Sequence, residues 1–173
     1  RFFINLAFAT LGRVRGGSAK VAIFASGLMG SMSGSVVTNV MTTGQLTIPT
    51  MRGQGYAPKT AAAVEACAST GGVLLPPIMG STAFIMVTFL ELPYAQVAFA
   101  ALIPALLYFF ALFLQLDAHA ARHGLVGLPE SDVPRLRDVL KSGWPFLLSF
   151  GLLVFFLLVL QRETLAPWLA SAV

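Results

Sequence analysis

The chain has 173 residues, of which 57% are hydrophobic and 10% are charged, and its formal net charge is +4. Soluble domains carry about 25% charged residues, so this composition excludes an ordinary soluble domain. The basic residues flank apolar stretches instead of forming one patch, so no nucleic-acid partner is expected, and the single cysteine, Cys67, excludes a disulfide framework.

Four stretches lack any charged residue or histidine, and each is long enough to cross the hydrocarbon layer. They are Val21–Met51, Ala66–Leu90, Leu92–Leu116 and Ser142–Gln161. The sequence therefore predicts an all-α integral membrane protein with several passes. Because the chain starts at Arg1 without an initiator methionine and ends without an evident cap, we expect it to be a fragment of a longer polytopic protein.

The first predicted element, residues 1–16, is an amphipathic helix on the cytoplasmic surface, because apolar residues recur between its basic ends. It could act as a membrane anchor or as an arm that holds a moving part against a scaffold.

Residues 17–54 are predicted to form a re-entrant helical hairpin around the uncharged run Val21–Met51. Basic residues flank this run on both sides: Arg13, Arg15, Lys20, Arg52 and Lys59. The positive-inside rule then places both ends in the cytoplasm. The centre, Gly30–Gly44, is rich in poor helix formers, and a turn there would free backbone groups and hydroxyls for a small ion or an anion. Close packing of small residues, as in Gly30-x-x-x-Gly34, is the alternative explanation.

Residues 58–90 are predicted to form a discontinuous transmembrane helix that is broken near 69–77. Two glycines followed by Pro76 and Pro77 cannot continue an α-helix, so we expect Thr70–Pro77 to be non-helical, with the helix restarting near Ile78. Unbroken, Lys59–Leu90 would be roughly 48 Å long, more than the bilayer needs. Two interruptions at matching depth are typical of the ion and substrate sites of secondary transporters.

The charge distribution predicts two full spans after this broken helix. The predicted elements are a transmembrane helix at 93–117, a cytoplasmic loop at 118–141, a second transmembrane helix at 142–161 and a periplasmic segment at 162–173. Glu65 is the acidic residue expected inside the membrane boundary, and its proximity to Lys59 favours a structural pair over direct ion coupling. His119 and His123, four residues apart, are read as an ordinary cytoplasmic interface in preference to a zinc site.

Four parts of the sequence form a recognisable set: Gly30–Ser35, Thr47–Arg52 with Gly55 and Tyr56, Glu65–Gly72 and Leu75–Gly80. Together they resemble the large membrane subunit of tripartite ATP-independent periplasmic (TRAP) transporters. The ASTGG at Ala68–Gly72 and the GLVGLP at Gly124–Pro129 are similar to the fused-permease subgroup that works with TAXI-type binding proteins.

The resemblance implies one part of an inverted-repeat elevator transporter in a bacterial inner membrane, driven by sodium as the coupling ion and not an enzyme. It implies a TAXI-type periplasmic substrate-binding protein, a small membrane subunit or its fused equivalent, membrane lipid and a carboxylate substrate such as a C4-dicarboxylate. No further cofactor is expected.

The resemblance also implies that the hairpin tip and the break form one half of a sodium and substrate site, with the other half in a second repeat. The residues carried over by position are Ser31, Ser33, Gly34, Ser35, Asn39, Ser69, Thr70, Gly71, Gly72, Pro76 and Pro77. The expected sodium ligands are Ser33, Ser35, Thr70 and Gly71, because neutral oxygens suit a hard monovalent ion that must also leave.

Two other functions fit part of the pattern. An ion or solute channel could use the same carbonyl-lined breaks as a filter. An intramembrane hydrolase could use a serine from either break, but no histidine lies within an apolar run to act as its base.

Overall fold

The structure, a computed structural model, describes residues 2–130 and 133–158. These residues form seven helices without a strand: α1 (Phe2–Leu11), α2 (Gly17–Ser33), α3 (Val36–Gly53), α4 (Pro58–Gly72), α5 (Ser81–Leu90), α6 (Tyr94–Arg122) and α7 (Leu136–Leu158). The predicted periplasmic segment at 162–173 and the last residues of the predicted span at 142–161 lie outside the described residues.

Helix α1 is shorter than the predicted amphipathic helix at 1–16. It ends at Leu11, and Gly16 precedes α2 in a left-handed conformation with φ of 63°, which glycine adopts without steric cost. The helix packs against α2 and α7, and Phe2 stacks on Phe146 with ring centroids 5.8 Å apart. Part of its apolar surface is therefore covered by protein.

Helices α2 and α3 form an antiparallel hairpin whose turn consists of Gly34 and Ser35 only. Gly34 has φ of 61°, and the Ser35 side chain accepts a hydrogen bond from the Thr38 amide at the start of α3. The far ends of the two helices also meet, because the Ser18 amide donates to Gln54 Oε1 at 3.2 Å. With 17 and 18 residues, each helix is about 25 Å long.

The broken helix consists of α4 and α5, joined by residues 73–80. The prediction that Thr70–Pro77 is non-helical was wrong at its start, since α4 continues through Gly72, and the restart is at Ser81 rather than near Ile78. A glycine weakens a helix by about 1 kcal/mol without ending it. A proline removes the amide donor and disfavours helical geometry in the residue before it, so the prolines determine where the break falls.

Helix α6 and the segment Leu136–Phe155 of α7 are long and apolar enough to cross a membrane, and only 17% of the apolar window in each is buried within the described chain. Their apolar outer surfaces therefore suit contact with lipid. The predicted loop at 118–141 is shorter than expected, because α6 continues to Arg122 and α7 already begins at Leu136. A helix satisfies its own backbone hydrogen bonds, so it can extend beyond the apolar run into the polar interface.

Helices α2, α3 and α4 pack on one another, and α6 packs against α2 and α4. The buried cluster of this group includes five alanines: Ala19, Ala22, Ala61, Ala68 and Ala120. Small residues let helix axes approach closely, which brings polar side chains of α2, α3 and α4 within hydrogen-bonding distance of each other.

Candidate functional site

The hairpin tip contacts the break directly. The Ile78 amide, in the segment between α4 and α5, donates to the Ser31 carbonyl oxygen at 3.1 Å. A Cβ atom added to Gly34 would lie 2.3 Å from the Met79 carbonyl oxygen. Real Cβ contacts are longer than this, so the two breaks are pressed backbone to backbone, and Gly34 is required by space as well as by its φ angle.

A second close contact lies one turn further into the protein, where α2 crosses α4. A Cβ atom on Gly30 would be 2.6 Å from Gly72 Cα, and a Cβ atom on Gly72 would be 2.6 Å from the Ser26 carbonyl oxygen. Small residues at this position are consistent with ligand binding or with close helix packing. At Gly30 and Gly72 the packing explanation applies, because neither position has room for a side chain.

The serines of the tip differ in their surroundings. Ser31 is 1% exposed and its hydroxyl donates to the Leu28 carbonyl oxygen at 2.9 Å. Ser33 is exposed, and its hydroxyl lies 3.5 Å from the Ser35 amide. Ser33 therefore presents a hydroxyl at the open side of the tip. The Ser31 hydroxyl, in contrast, is bonded to a backbone carbonyl oxygen of its own helix.

The expected sodium ligands on α4 point away from the tip. Thr70 is exposed and its hydroxyl donates to the Ala66 carbonyl oxygen at 2.8 Å. A Cβ atom on Gly71 would meet the Tyr108 ring at 2.5 Å, so Gly71 faces α6. The ligand set Ser33, Ser35, Thr70 and Gly71 stays a prediction, and Ser69 and Gly72 are the residues of this segment that face the hairpin.

The two prolines of the break are held in place from α6. Tyr94 is fully buried, and its hydroxyl lies 2.6 Å from the Pro77 carbonyl oxygen and 2.7 Å from that of Ile78. The peptide bond between Pro76 and Pro77 is cis. The beginning of α6 therefore supports the break from the side opposite the hairpin tip.

Asn39 lies in the second turn of α3, between the tip and the core. It is 1% exposed, and its Nδ2 atom donates to the Ser26 carbonyl oxygen at 2.7 Å. Its Oδ1 atom is buried without a hydrogen-bond partner among the described residues. The Nδ2 atom is the one that faces Gly30 and Gly72. Because buried polar atoms are nearly always paired, the free Oδ1 acceptor of the same amide is a candidate cation ligand.

Deeper in the same three-helix core, Glu65 is fully buried and surrounded by hydroxyl groups. Ser26 Oγ lies 3.0 Å and Ser69 Oγ 3.3 Å from Glu65 Oε1, and Thr43 and Thr47 also hydrogen-bond to the carboxylate. Gly44 makes room for the side chain, since a Cβ atom there would be 3.2 Å from Glu65 Cγ. We call Glu65 with these four hydroxyl residues the Glu65 cluster.

The expected structural pair between Glu65 and Lys59 was wrong. Lys59 is exposed at the start of α4, whereas Glu65 faces the core two turns later. The spacing on α3 was the missed signal: Asn39, Thr43 and Thr47 recur every four residues and share one helix face. On α4, Ser69 follows Glu65 by the same spacing.

An ion-pair network ties α2 to α6 at the end of the bundle opposite the hairpin tip. Asp117 accepts hydrogen bonds from Arg15 and from Lys20, and the Lys20 side chain is only 6% exposed. Beside it, His119 stacks on Tyr56 at 5.9 Å and on His123 at 4.1 Å. The described residues contain no group of three metal-ligating side chains.

Comparison with known proteins assigns the family. The family model described as "Tripartite ATP-independent periplasmic transporter, DctM component" matches residues 1–173. The chain belongs to the DctM family of TRAP transporters. The two candidate spans agree with membership of this membrane-embedded family.

The chain spans between 12% and 39% of the length of three curated relatives that it matches. It is 29% identical over 173 residues to the C4-dicarboxylate TRAP transporter large permease protein DctM of Pseudomonas aeruginosa, covering 100% of the chain and 39% of that protein. It is 27% identical over 156 residues to the protein YgiK of Salmonella typhimurium, covering 89% of the chain and 35% of YgiK. A third relative, the isethionate TRAP transporter permease protein DctMQ of Oleidesulfovibrio alaskensis, is 39% identical over 77 residues, 44% of the chain and 12% of that protein.

Proposed function

We propose that this chain forms part of the membrane permease of a sodium-coupled, binding-protein-dependent secondary transporter for organic acids. The observation that carries the proposal is the docking of the hairpin tip on the broken helix, in a chain that matches the DctM model over its whole length. Interrupted helices that meet inside a membrane protein are the usual setting for ion and substrate sites in secondary transporters.

The proposed topology is re-entrant. Helices α2 and α3 are each about 25 Å long, and basic residues flank both free ends of the hairpin. Both ends would then lie on the cytoplasmic side of a bacterial inner membrane, with the tip near or beyond its midplane. The remaining half of the site would come from an inverted repeat, and the whole would work by an elevator motion.

Sodium is the proposed coupling ion. The tip offers the Ser33 hydroxyl on its open side, the Ser35 residue at the start of α3, and the free Oδ1 atom of Asn39 behind them. These are neutral oxygens, which suit a hard monovalent cation that must be released in each cycle. The orientations of Thr70 and Gly71 shift the proposed ligand set from α4 toward the hairpin.

The proposed substrate is a carboxylate, such as a C4-dicarboxylate, delivered by a TAXI-type periplasmic binding protein. A small membrane subunit, or a fused equivalent, would complete the complex. The name of the Pseudomonas aeruginosa relative supports the dicarboxylate class, and that of the Oleidesulfovibrio alaskensis relative extends it to another small organic anion. The short sequence Gly124–Pro129 supports the TAXI-type partner.

The test is uptake by the complete permease in proteoliposomes, with its binding protein and a labelled dicarboxylate. We expect accumulation above the external concentration when an inward sodium gradient is applied, and none when choline replaces sodium. Ser33→Ala should raise the sodium concentration for half-maximal uptake, whereas Thr70→Val, which removes an outward-facing hydroxyl, should change it less.

Uptake that equilibrates but never exceeds the external concentration would indicate the channel alternative, because a channel can only dissipate a gradient. Accumulation that is indifferent to sodium would contradict sodium coupling. A Thr70→Val effect larger than that of Ser33→Ala would contradict the ligand set proposed for the hairpin.

A further inference from the structure

We propose that the buried carboxylate of Glu65 is the charge partner of the coupling cation, acting from within the core on a cation bound at the junction of the hairpin and α4. This inference rests on the proposed function. It adds Glu65, a charged residue, to a site in which the tip and the break supply only neutral groups. Glu65 would not touch the cation; it is a positioning residue that sets the electrostatic potential of the site.

The first observation is that Glu65 has no cationic partner among the described residues. The ion pairs in this part of the chain join Arg13 to Glu130, and Arg15 and Lys20 to Asp117. The groups that contact the Glu65 carboxylate are neutral hydroxyls. The proposed role belongs to the ionised carboxylate, which only accepts hydrogen bonds; hydroxyl donors satisfy it locally, and a bound cation would compensate its net charge.

The second observation is the position of this charge relative to the tip. Gly72, seven residues after Glu65 on α4, touches Gly30 and lies beside Asn39, so the two points are roughly 10 Å apart along the helix. Ser69 and Ser26, which lie between them, are buried and neutral. No charged side chain of the described helices intervenes on this face.

The third observation is the Asn39 side chain, whose Nδ2 atom lies at that junction and whose Oδ1 atom is buried without a hydrogen-bond partner among the described residues. A carbonyl oxygen without a donor is an unfavourable feature in an empty site and a ligand in an occupied one. A cation beside Asn39 would satisfy it and would sit within reach of the Glu65 charge. At an effective dielectric near 20, opposite charges roughly 10 Å apart strengthen binding about tenfold.

The geometry of the Glu65 cluster also allows the charge of Glu65 to be removed while its hydrogen bonds are kept. The hydroxyls of Thr43 and Thr47 lie 2.8 Å and 3.0 Å from the carbonyl oxygens of Asn39 and Thr43, four residues earlier on α3. Each hydroxyl has one proton and can donate to either acceptor. In Glu65→Gln, the new side-chain amide can donate a hydrogen bond to the oxygen of a threonine hydroxyl. That hydroxyl then donates its own proton to the backbone carbonyl oxygen four residues earlier on α3. The hydrogen bonds are then kept while the charge is lost.

The experiment compares Glu65→Gln with Thr47→Val in the complete permease. Thr47→Val removes a hydroxyl of the cluster at nearly constant shape and leaves the charge. Two quantities are measured: the sodium concentration for half-maximal uptake with the binding protein present, and the sodium-dependent shift of the melting temperature in detergent, with choline as the control salt.

We expect Glu65→Gln to raise the half-saturating sodium concentration about tenfold, with a smaller effect on the maximal rate and little change in the melting temperature without sodium. Thr47→Val should lower the melting temperature without sodium but change the sodium midpoint less than threefold. If Glu65→Gln does not fold, Glu65→Asp, which keeps the charge, should bind sodium within about threefold of the parent protein.

Three results would overturn the inference: a sodium midpoint unchanged in Glu65→Gln, an equal change in Thr47→Val, or a tenfold change in Glu65→Asp. The parent protein is measured first. If its uptake does not depend on sodium, the proposal of sodium coupling is contradicted. If the parent depends on sodium and Glu65→Gln behaves like it, only the role of Glu65 fails.

Discussion

The contact between the hairpin tip and the break can be tested by a matched pair of glycine substitutions. Gly34 at the tip and Gly124 after α6 have nearly the same positive φ angle, 61° and 63°. Their surroundings differ: a Cβ atom on Gly34 would lie 2.3 Å from the Met79 carbonyl oxygen, whereas one on Gly124 would have nothing within 4 Å. Gly124→Ala is therefore a control for backbone strain alone.

The magnitude follows from these two contributions. A left-handed conformation costs an alanine about 1–2 kcal/mol relative to glycine, and both variants pay this. Forcing a methyl group into a packed contact costs roughly a further 1–3 kcal/mol. This cost applies only to Gly34→Ala, because the opposing Met79 oxygen belongs to the backbone and cannot rotate away. We expect Gly34→Ala to be less stable than Gly124→Ala by about 1–3 kcal/mol.

The assay has two readouts in the complete permease at matched membrane levels. Unfolding of the purified proteins gives the stability difference, and uptake driven by a sodium gradient gives the functional difference. We expect Gly124→Ala to retain most uptake and Gly34→Ala to lose most of it, since the tip must separate from the break to admit the methyl group. Equal stabilities and equal uptake in the two variants would refute the close docking of tip on break.

Two further predictions concern topology and the ion pairs. In a background with Cys67→Ser, Val14→Cys and Gly53→Cys should both react with an impermeant thiol reagent from the cytoplasmic side and Leu92→Cys from the periplasmic side; labelling of the first two from opposite sides would exclude the re-entrant hairpin. Asp117→Asn should lower the unfolding free energy, because it leaves the buried Lys20 ammonium without its carboxylate. Glu130→Gln, whose pair with Arg13 is exposed, should change it by less than about 1 kcal/mol, and an equal effect of the two variants would contradict this assignment of the buried pair.

The sequence by itself determined the class of the protein and the positions of its interruptions. Apolar stretches of membrane-spanning length are a local property of composition, and glycine, serine and proline act on their own turn of backbone, so the turn at Gly34 and the break before Ser81 could be located without coordinates. The exact ends differed by a few residues, as at Gly72, because a glycine near a helix end is tolerated when the surrounding packing favours it.

The tertiary structure decided which side chains face each other. The direction of Thr70 and Gly71 away from the tip depends on how α4 is rotated against α2 and α3, and that rotation is set by the contact of Gly30 with Gly72. The hydrogen-bond partners of Glu65 likewise could not be predicted from its neighbours in the sequence. Its nearest charge along the chain, Lys59, faces outward, whereas three of the four hydroxyls that satisfy it come from residues 18 to 39 positions away on α2 and α3. Helix packing brings such groups together, because a buried carboxylate must find its donors wherever neighbouring helices present them.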